Sequence, residues 1–91
     1  MKTIYITGET GFIGNYLINK LSRVYSFCKH NRNSNIKISQ EVVIHLAGIS
    51  HDLKNINKPD DYYSVNTDFT KLIFDSFLSS NAKVFIALIF R

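Results

Sequence analysis

Tryptophan is absent from this 91-residue chain, proline and cysteine each occur once, and there are only four glycines. A single cysteine, Cys28, excludes an internal disulfide, and with it the stapled scaffolds of small secreted domains. Cys28 closes an apolar run from Val24, where packing rather than nucleophilic chemistry is expected of it. No run is long and apolar enough to cross a bilayer, and Met1-Lys2-Thr3 leads straight into a strand-like segment. No signal peptide is therefore expected, no membrane partner, and a cytoplasmic location. Acidic residues are also few, seven against eleven Lys and Arg, which leaves a net charge of +4. The basic residues are dispersed apart from Lys29-His30-Asn31-Arg32, and no helical face gathers them, so nucleic acid is not an expected partner. What remains, 45% hydrophobic and 20% charged, is the composition of one small globular domain. A chain of this length buries only about 60–65% of its unfolded surface, so its stability margin is thin.

Three of the four glycines stand together in Thr7-Gly8-Glu9-Thr10-Gly11-Phe12-Ile13-Gly14. Before them lies Thr3 to Thr7, β-branched and aromatic, which predicts a strand. After them Ile13, Leu17 and Leu21 recur at four-residue steps, which predicts a helix from Phe12 to about Ser22. A glycine-rich turn from strand to helix directs backbone N–H groups and the positive end of the helix dipole at one point, where an anion such as a pyrophosphate is favoured. In this reading Gly8 makes the tight turn, Gly11 admits phosphate to the main chain, and Gly14 lets the helix pack closely on the strand.

Further on, Val24 to Cys28 predicts a second strand, followed by a polar loop over Lys29 to Asn35. Ile36-Lys37-Ile38 alternates as a short third strand would. Glu41 to Gly48 reads as a strand buried on both faces, with no room before it for a crossover helix. A polar loop over Ile49 to Lys58 precedes a helix that opens at Pro59, carries Asp60 and Asp61 in its first turn, and runs to about Asn81. Lys83 to Arg91 is another strand of buried type, and an exposed apolar edge there invites self-association. This alternation predicts an α/β fold: a Rossmann-like, doubly wound parallel sheet, truncated, with about four to five strands in a single domain over residues 1–91.

Three segments together resemble the NAD-dependent epimerase/dehydratase family, the extended short-chain dehydrogenase/reductases that act on nucleotide sugars. They are Thr7-Gly8-x-x-Gly11-Phe12-Ile13-Gly14, His45-Leu46-Ala47-Gly48, and Lys58-Pro59-Asp60-Asp61-Tyr62-Tyr63-Ser64-Val65-Asn66-Thr67. The resemblance implies a domain that binds NAD or NADP across the carboxyl ends of its strands. It assigns Gly8, Gly11 and Gly14 to the pyrophosphate, with the amides of Phe12 and Ile13. Ala47 and Gly48 fall beside the adenine-side ribose, with Ile49 and Ser50 as weaker candidates. His45 is expected to be a packed strand residue rather than a catalyst.

Several departures from the family pattern carry weight. No carboxylate ends the second strand to hold the ribose hydroxyls; Cys28-Lys29-His30-Asn31-Arg32 stands there instead. That stretch reads in two ways, with Arg32 or a neighbouring lysine meeting the 2′-phosphate of NADP, or as a loop that is merely basic. The family's aspartate after the third strand is missing, and Phe69 stands where the family pattern has glycine. The catalytic serine/threonine cluster and Tyr-x-x-x-Lys are not found in their place either. Tyr16–Lys20 and Tyr25–Lys29 meet that spacing, but neither sits where the family's pair does. The expectation is the opening, NAD(P)-binding part of a nucleotide-sugar epimerase or dehydratase, catalytically incompetent alone and without the substrate domain. A frameshift or premature stop would produce such an ending. In the complete enzyme, hydride would pass transiently from a sugar carbon to the nicotinamide. The alternative is a non-catalytic dinucleotide-binding or regulatory module.

Overall fold

Among the described residues, four parallel strands and two helices follow in the order β1 (Lys2–Thr7), α1 (Phe12–Leu21), β2 (Tyr25–Lys29), β3 (Val42–His45), α2 (Pro59–Leu78) and β4 (Val84–Ala87). The structure, a computed structural model, describes residues 2–31, 35–46 and 59–88, with side chains of the last stretch described from residue 67 onward. Across the sheet the strands lie in the order β2-β1-β3-β4. Register is continuous, with Ile4 opposite Val42 on one side of β1 and Phe27 on the other, and Val42 in turn opposite Val84.

The order fixes which face each connection covers. Parallel crossovers are right-handed, so a chain that moves one way from β1 to β2 and then back past β1 to β3 must pass over opposite faces. Alternation along the strands supplies apolar side chains to both. Ile4, Ile6, Ile44 and Leu46 are buried on one face and pack under Ile13, Leu17 and Ile18 of α1. Tyr5, Val43 and the fully buried Ile73 of α2 form the core of the other, with Phe69, Phe77 and Phe85 around them. The spacing of Phe69, Ile73 and Phe77 is one residue per helical turn, so a single ridge of α2 meets the sheet. This is the doubly wound, Rossmann-like parallel sheet that the sequence predicts, with four strands among the described residues.

Ile36 to Ile38 differs from its reading as a third strand. Only twelve residues, 30–41, bring the chain from the carboxyl end of β2 to the amino end of β3. Of these, Ile36 and Ile38 pack on the Tyr5–Val43–Ile73 core of the α2-side face without joining a strand. An i, i+2 apolar pair buries one face whether or not its backbone joins a ladder, and both sides of β1 are already taken by β2 and β3. The final strand is also shorter than its apolar run, spanning Val84–Ala87 with residues 89–91 outside the described ones.

Candidate functional site

The chain reverses its direction of travel across the sheet between β1 and β3, and at such a switch point the loops leaving neighbouring strands part to form a crevice. The turn after β1 lies on one side of it. Gly8 takes a φ of 78°, the left-handed region that costs an L side chain roughly 1–2 kcal/mol. Its carbonyl oxygen accepts the Gly11 N–H at 3.1 Å, which closes the turn. Gly11 then caps α1 with extended backbone and accepts the Asn15 N–H at 2.9 Å, the first bond of the helix. A glycine cap supplies no side-chain oxygen, and the first turn of α1 holds no acidic residue. The N–H groups that open the helix therefore keep their capacity for an external acceptor.

Gly14 is buried against that turn. A Cβ there would overlap the Gly8 carbonyl oxygen and stand 2.8 Å from Glu9 Cα. The helix is thus pressed on the turn itself rather than on the strand before it. At Gly11 an added Cβ would meet, among the described residues, only the Gly8 carbonyl oxygen, at an ordinary 3.4 Å. Packing among the described residues does not require glycine at that position. Phe12 projects outward, 81% exposed, while Ile13 turns inward onto the α1-side core. Arg32, Ala47 and Gly48, with Ile49 and Ser50, lie outside the described residues.

On the α2 side of the same strand ends is a polar group that the sequence does not reveal. His45, 1% exposed, sits between two threonines, with Nδ1 at 2.7 Å from Thr7 Oγ1 and Nε2 at 2.9 Å from Thr70 Oγ1. Thr7 Oγ1 also accepts the Leu46 N–H at 3.2 Å. Burial, and secondarily the neighbouring His30, hold the His45 imidazole below its ordinary pKa. The result is a strut from β1 through β3 to α2, placed directly below the glycine turn. His30, which follows β2, continues the ladder through its N–H to the Ile6 carbonyl. Its ring turns under the sheet, with Nδ1 2.6 Å from the Tyr5 hydroxyl. Burial and then Cys28 raise the Tyr5 pKa. Phe69 packs against both imidazoles, at centroid distances of 5.3 Å to His30 and 5.4 Å to His45. A glycine, as in the family pattern, would leave that volume empty.

The two Tyr-x-x-x-Lys coincidences resolve differently. Lys20 Nζ stands over the ring of Tyr16, 5.6 Å from its centroid, on exposed helix surface. Tyr25 and Lys29 lie at opposite ends of β2, about 13 Å apart at the rise of a parallel strand. Among the described residues, shallow clefts open elsewhere, one between residues 36–39 and the end of α2, another near the amino ends of β1 and β3. Neither reaches the glycine turn. Among the described residues no His, Cys, Asp or Glu cluster could hold a metal ion, and no helix is long and apolar enough to cross a membrane.

Comparison with known proteins agrees with the turn and the sheet. The family model for the NAD dependent epimerase/dehydratase family matches residues 4–89. The chain is also 35% identical over 89 residues to a protein described as probable polyketide synthase 29, from Dictyostelium discoideum. That match covers 91% of this chain but only 3% of the relative. No solved structure matches. With its glycine turn, its switch point and a match over nearly its whole length, the chain belongs to the NAD-dependent epimerase/dehydratase family.

Proposed function

We propose that this chain is the NAD(P)-binding N-terminal portion of an epimerase/dehydratase and has no turnover by itself. The observation that carries the reading is the uncapped, acid-free start of α1 beside a Gly8–Gly11 turn, at the switch point of the sheet. There the amides of Phe12, Ile13 and Gly14 face the carboxyl ends of the strands. The pyrophosphate of the dinucleotide meets them, and the bare Gly11 backbone lets it approach. Gly8 acts indirectly, by holding the turn in shape, and Gly14 adds to its amide the close packing of helix on turn. Ala47 and Gly48 border the adenine-side ribose, and Arg32 is the candidate for the 2′-phosphate that would make NADP the preferred form.

Bound NAD(P) supplies a hydride acceptor, and this chain's residues bind and orient it. Oxidation of a sugar carbon also needs a base at the sugar hydroxyl. The exposed Tyr16–Lys20 pair lies on the outer surface of α1 and does not serve that role. The proposed substrate of the full-length enzyme is a nucleotide sugar. Likeness to a stretch of a probable polyketide synthase favours a second reading, a dinucleotide-binding segment of a larger chain that makes a polyketide. The non-catalytic regulatory module is the alternative should the chain act alone. Its expected location is the cytoplasm, and its exposed edge at β4 makes self-association part of the same reading.

Calorimetric titration with NAD and with NADP tests the binding claim. Saturable heat with either supports it, and no heat with both at about millimolar cofactor removes it.

A further inference from the structure

Thr7 and His45 lie directly opposite one another where β1 and β3 end, on the α2-side face that Tyr5 and Val43 also line. Thr7 is the last residue of β1, and Gly8 takes its φ of 78° straight after it. The set of Thr7 therefore aims the turn whose amides open α1. From the α1 side that turn is clamped by Gly14 against Gly8. From the α2 side it is held through Thr7 Oγ1, which lies 2.7 Å from His45 Nδ1 and accepts the Leu46 N–H at 3.2 Å.

Proton counting along the strut assigns a role to each atom. Burial keeps the His45 ring neutral at about pH 7.5, and a neutral imidazole has one N–H donor and one bare nitrogen that accepts. Its neighbours are hydroxyls, each with one proton to give and two lone pairs. Were Nε2 the protonated nitrogen, it would donate to Thr70 Oγ1, and the Thr70 proton would have no acceptor among the described residues. With the proton on Nδ1, Thr70 donates to Nε2 and the Nδ1–H donates to Thr7 Oγ1. Thr7 then accepts from Leu46 and from His45, and keeps its own proton to give. All the polar atoms of the strut are used in this second arrangement, and Phe69 and Phe85 hold the ring, at centroid distances of 5.4 and 6.3 Å. We propose that His45 is a positioning residue for the dinucleotide site: Thr70 fixes its Nδ1–H tautomer, and that N–H holds Thr7, and with it the glycine turn, in the shape that receives the pyrophosphate. This rests on the dinucleotide-binding reading. His45 acts through Thr7 and the backbone of the turn, where a shift of about 0.5 Å is enough to spoil a binding geometry.

Long-range proton–nitrogen correlation spectra of the labelled wild-type chain, at about pH 7.5, read the tautomer without any substitution. His45 Nδ1 is expected to resonate as the protonated nitrogen and Nε2 as the bare one, and the reverse overturns the proposal. Thr70→Val then removes the donor on α2. It should displace the amide resonances of Gly8 and Gly11 and weaken NAD or NADP binding about three- to tenfold, the worth of one neutral hydrogen bond. Thr70→Ser keeps the hydroxyl and should restore both. Ile73→Val thins the buried face of the same helix at a stability cost of the same order and leaves the strut whole, so it should move neither. Turn resonances and affinity that stay at their wild-type values in Thr70→Val, or that change equally in Ile73→Val, overturn the positioning role and leave His45 a packed core residue. A wild-type chain that binds neither dinucleotide overturns the dinucleotide reading by itself. The tautomer and the Gly8 and Gly11 resonances then still decide whether the strut positions the turn.

Discussion

Replacing Gly14 by alanine would drive a methyl carbon into the Gly8 carbonyl oxygen and to within 2.9 Å of the Gly8 carbonyl carbon. All the opposing atoms are backbone, so no side chain can rotate away. Overpacking of this kind costs about 1–3 kcal/mol, and rigid opposition places it near the upper end. Alanine regains about 0.5–1 kcal/mol of helix propensity, which leaves a net loss of about 2 kcal/mol. For a domain of this size that lowers the melting temperature by roughly 8–16 °C. Gly11→Ala is the internal control, because its added carbon meets only one atom among the described residues, at 3.4 Å, and its φ of −74° suits any residue. Its cost should stay below about 1 kcal/mol, the loss of a glycine cap. Thermal unfolding followed by far-UV circular dichroism, at one fixed protein concentration, reads both. Equal losses, or a larger one at Gly11, would refute the view that the turn is clamped through Gly14 and open above Gly11.

Other predictions concern the buried strut. His45 has a depressed pKa, so the unfolded chain takes up a proton near pH 6.5 that the folded chain refuses. Its contribution is whole above about pH 6.5 and is lost as pH falls toward the folded pKa, with a slope of at most about 1.4 kcal/mol per unit. Comparing urea unfolding of wild type and His45→Gln between pH 7.5 and 5 should show a shallower dependence in the variant, and identical slopes would contradict the assignment. Thr70→Val leaves His45 Nε2 without its hydroxyl partner, at about 1–3 kcal/mol, measured as a shift in urea midpoint. Phe69→Gly, which restores the family residue, empties the space between His30 and His45 and should destabilise by about 3 kcal/mol or more. By contrast Lys2→Ala removes an exposed pair with Glu41 and should leave the melting temperature unchanged.

Those residues also mark where sequence reading stops. The turn was legible because its parts are contiguous: a β-branched strand, three glycines and a helical repeat within twenty residues fix Gly8, Gly11 and Gly14 without tertiary knowledge. The strut was not, since Thr7, His45 and Thr70 lie 25 and 38 residues apart and nothing local joins them. His45 was legible as buried, from the aliphatic run around it, but not as doubly hydrogen-bonded. Phe69 stood out only as a departure from a family glycine, and its place between two imidazoles emerged from the fold. Ile36 and Ile38 misled because an alternating pair reports burial of one face, whereas a strand also needs a neighbouring edge. β4 was visible as an apolar run. Which backbone groups it turns outward follows only from the β3 register.

The amide resonances of Gly8 to Gly14, followed as NAD or NADP is added to the isotopically labelled chain, test the central claim most directly. Saturable shifts at Gly11, Phe12, Ile13 and Gly14, with none at Ser39 to Glu41 at the opposite end of the sheet, are the predicted result. No shifts at the turn, or shifts confined to the opposite end, would contradict it.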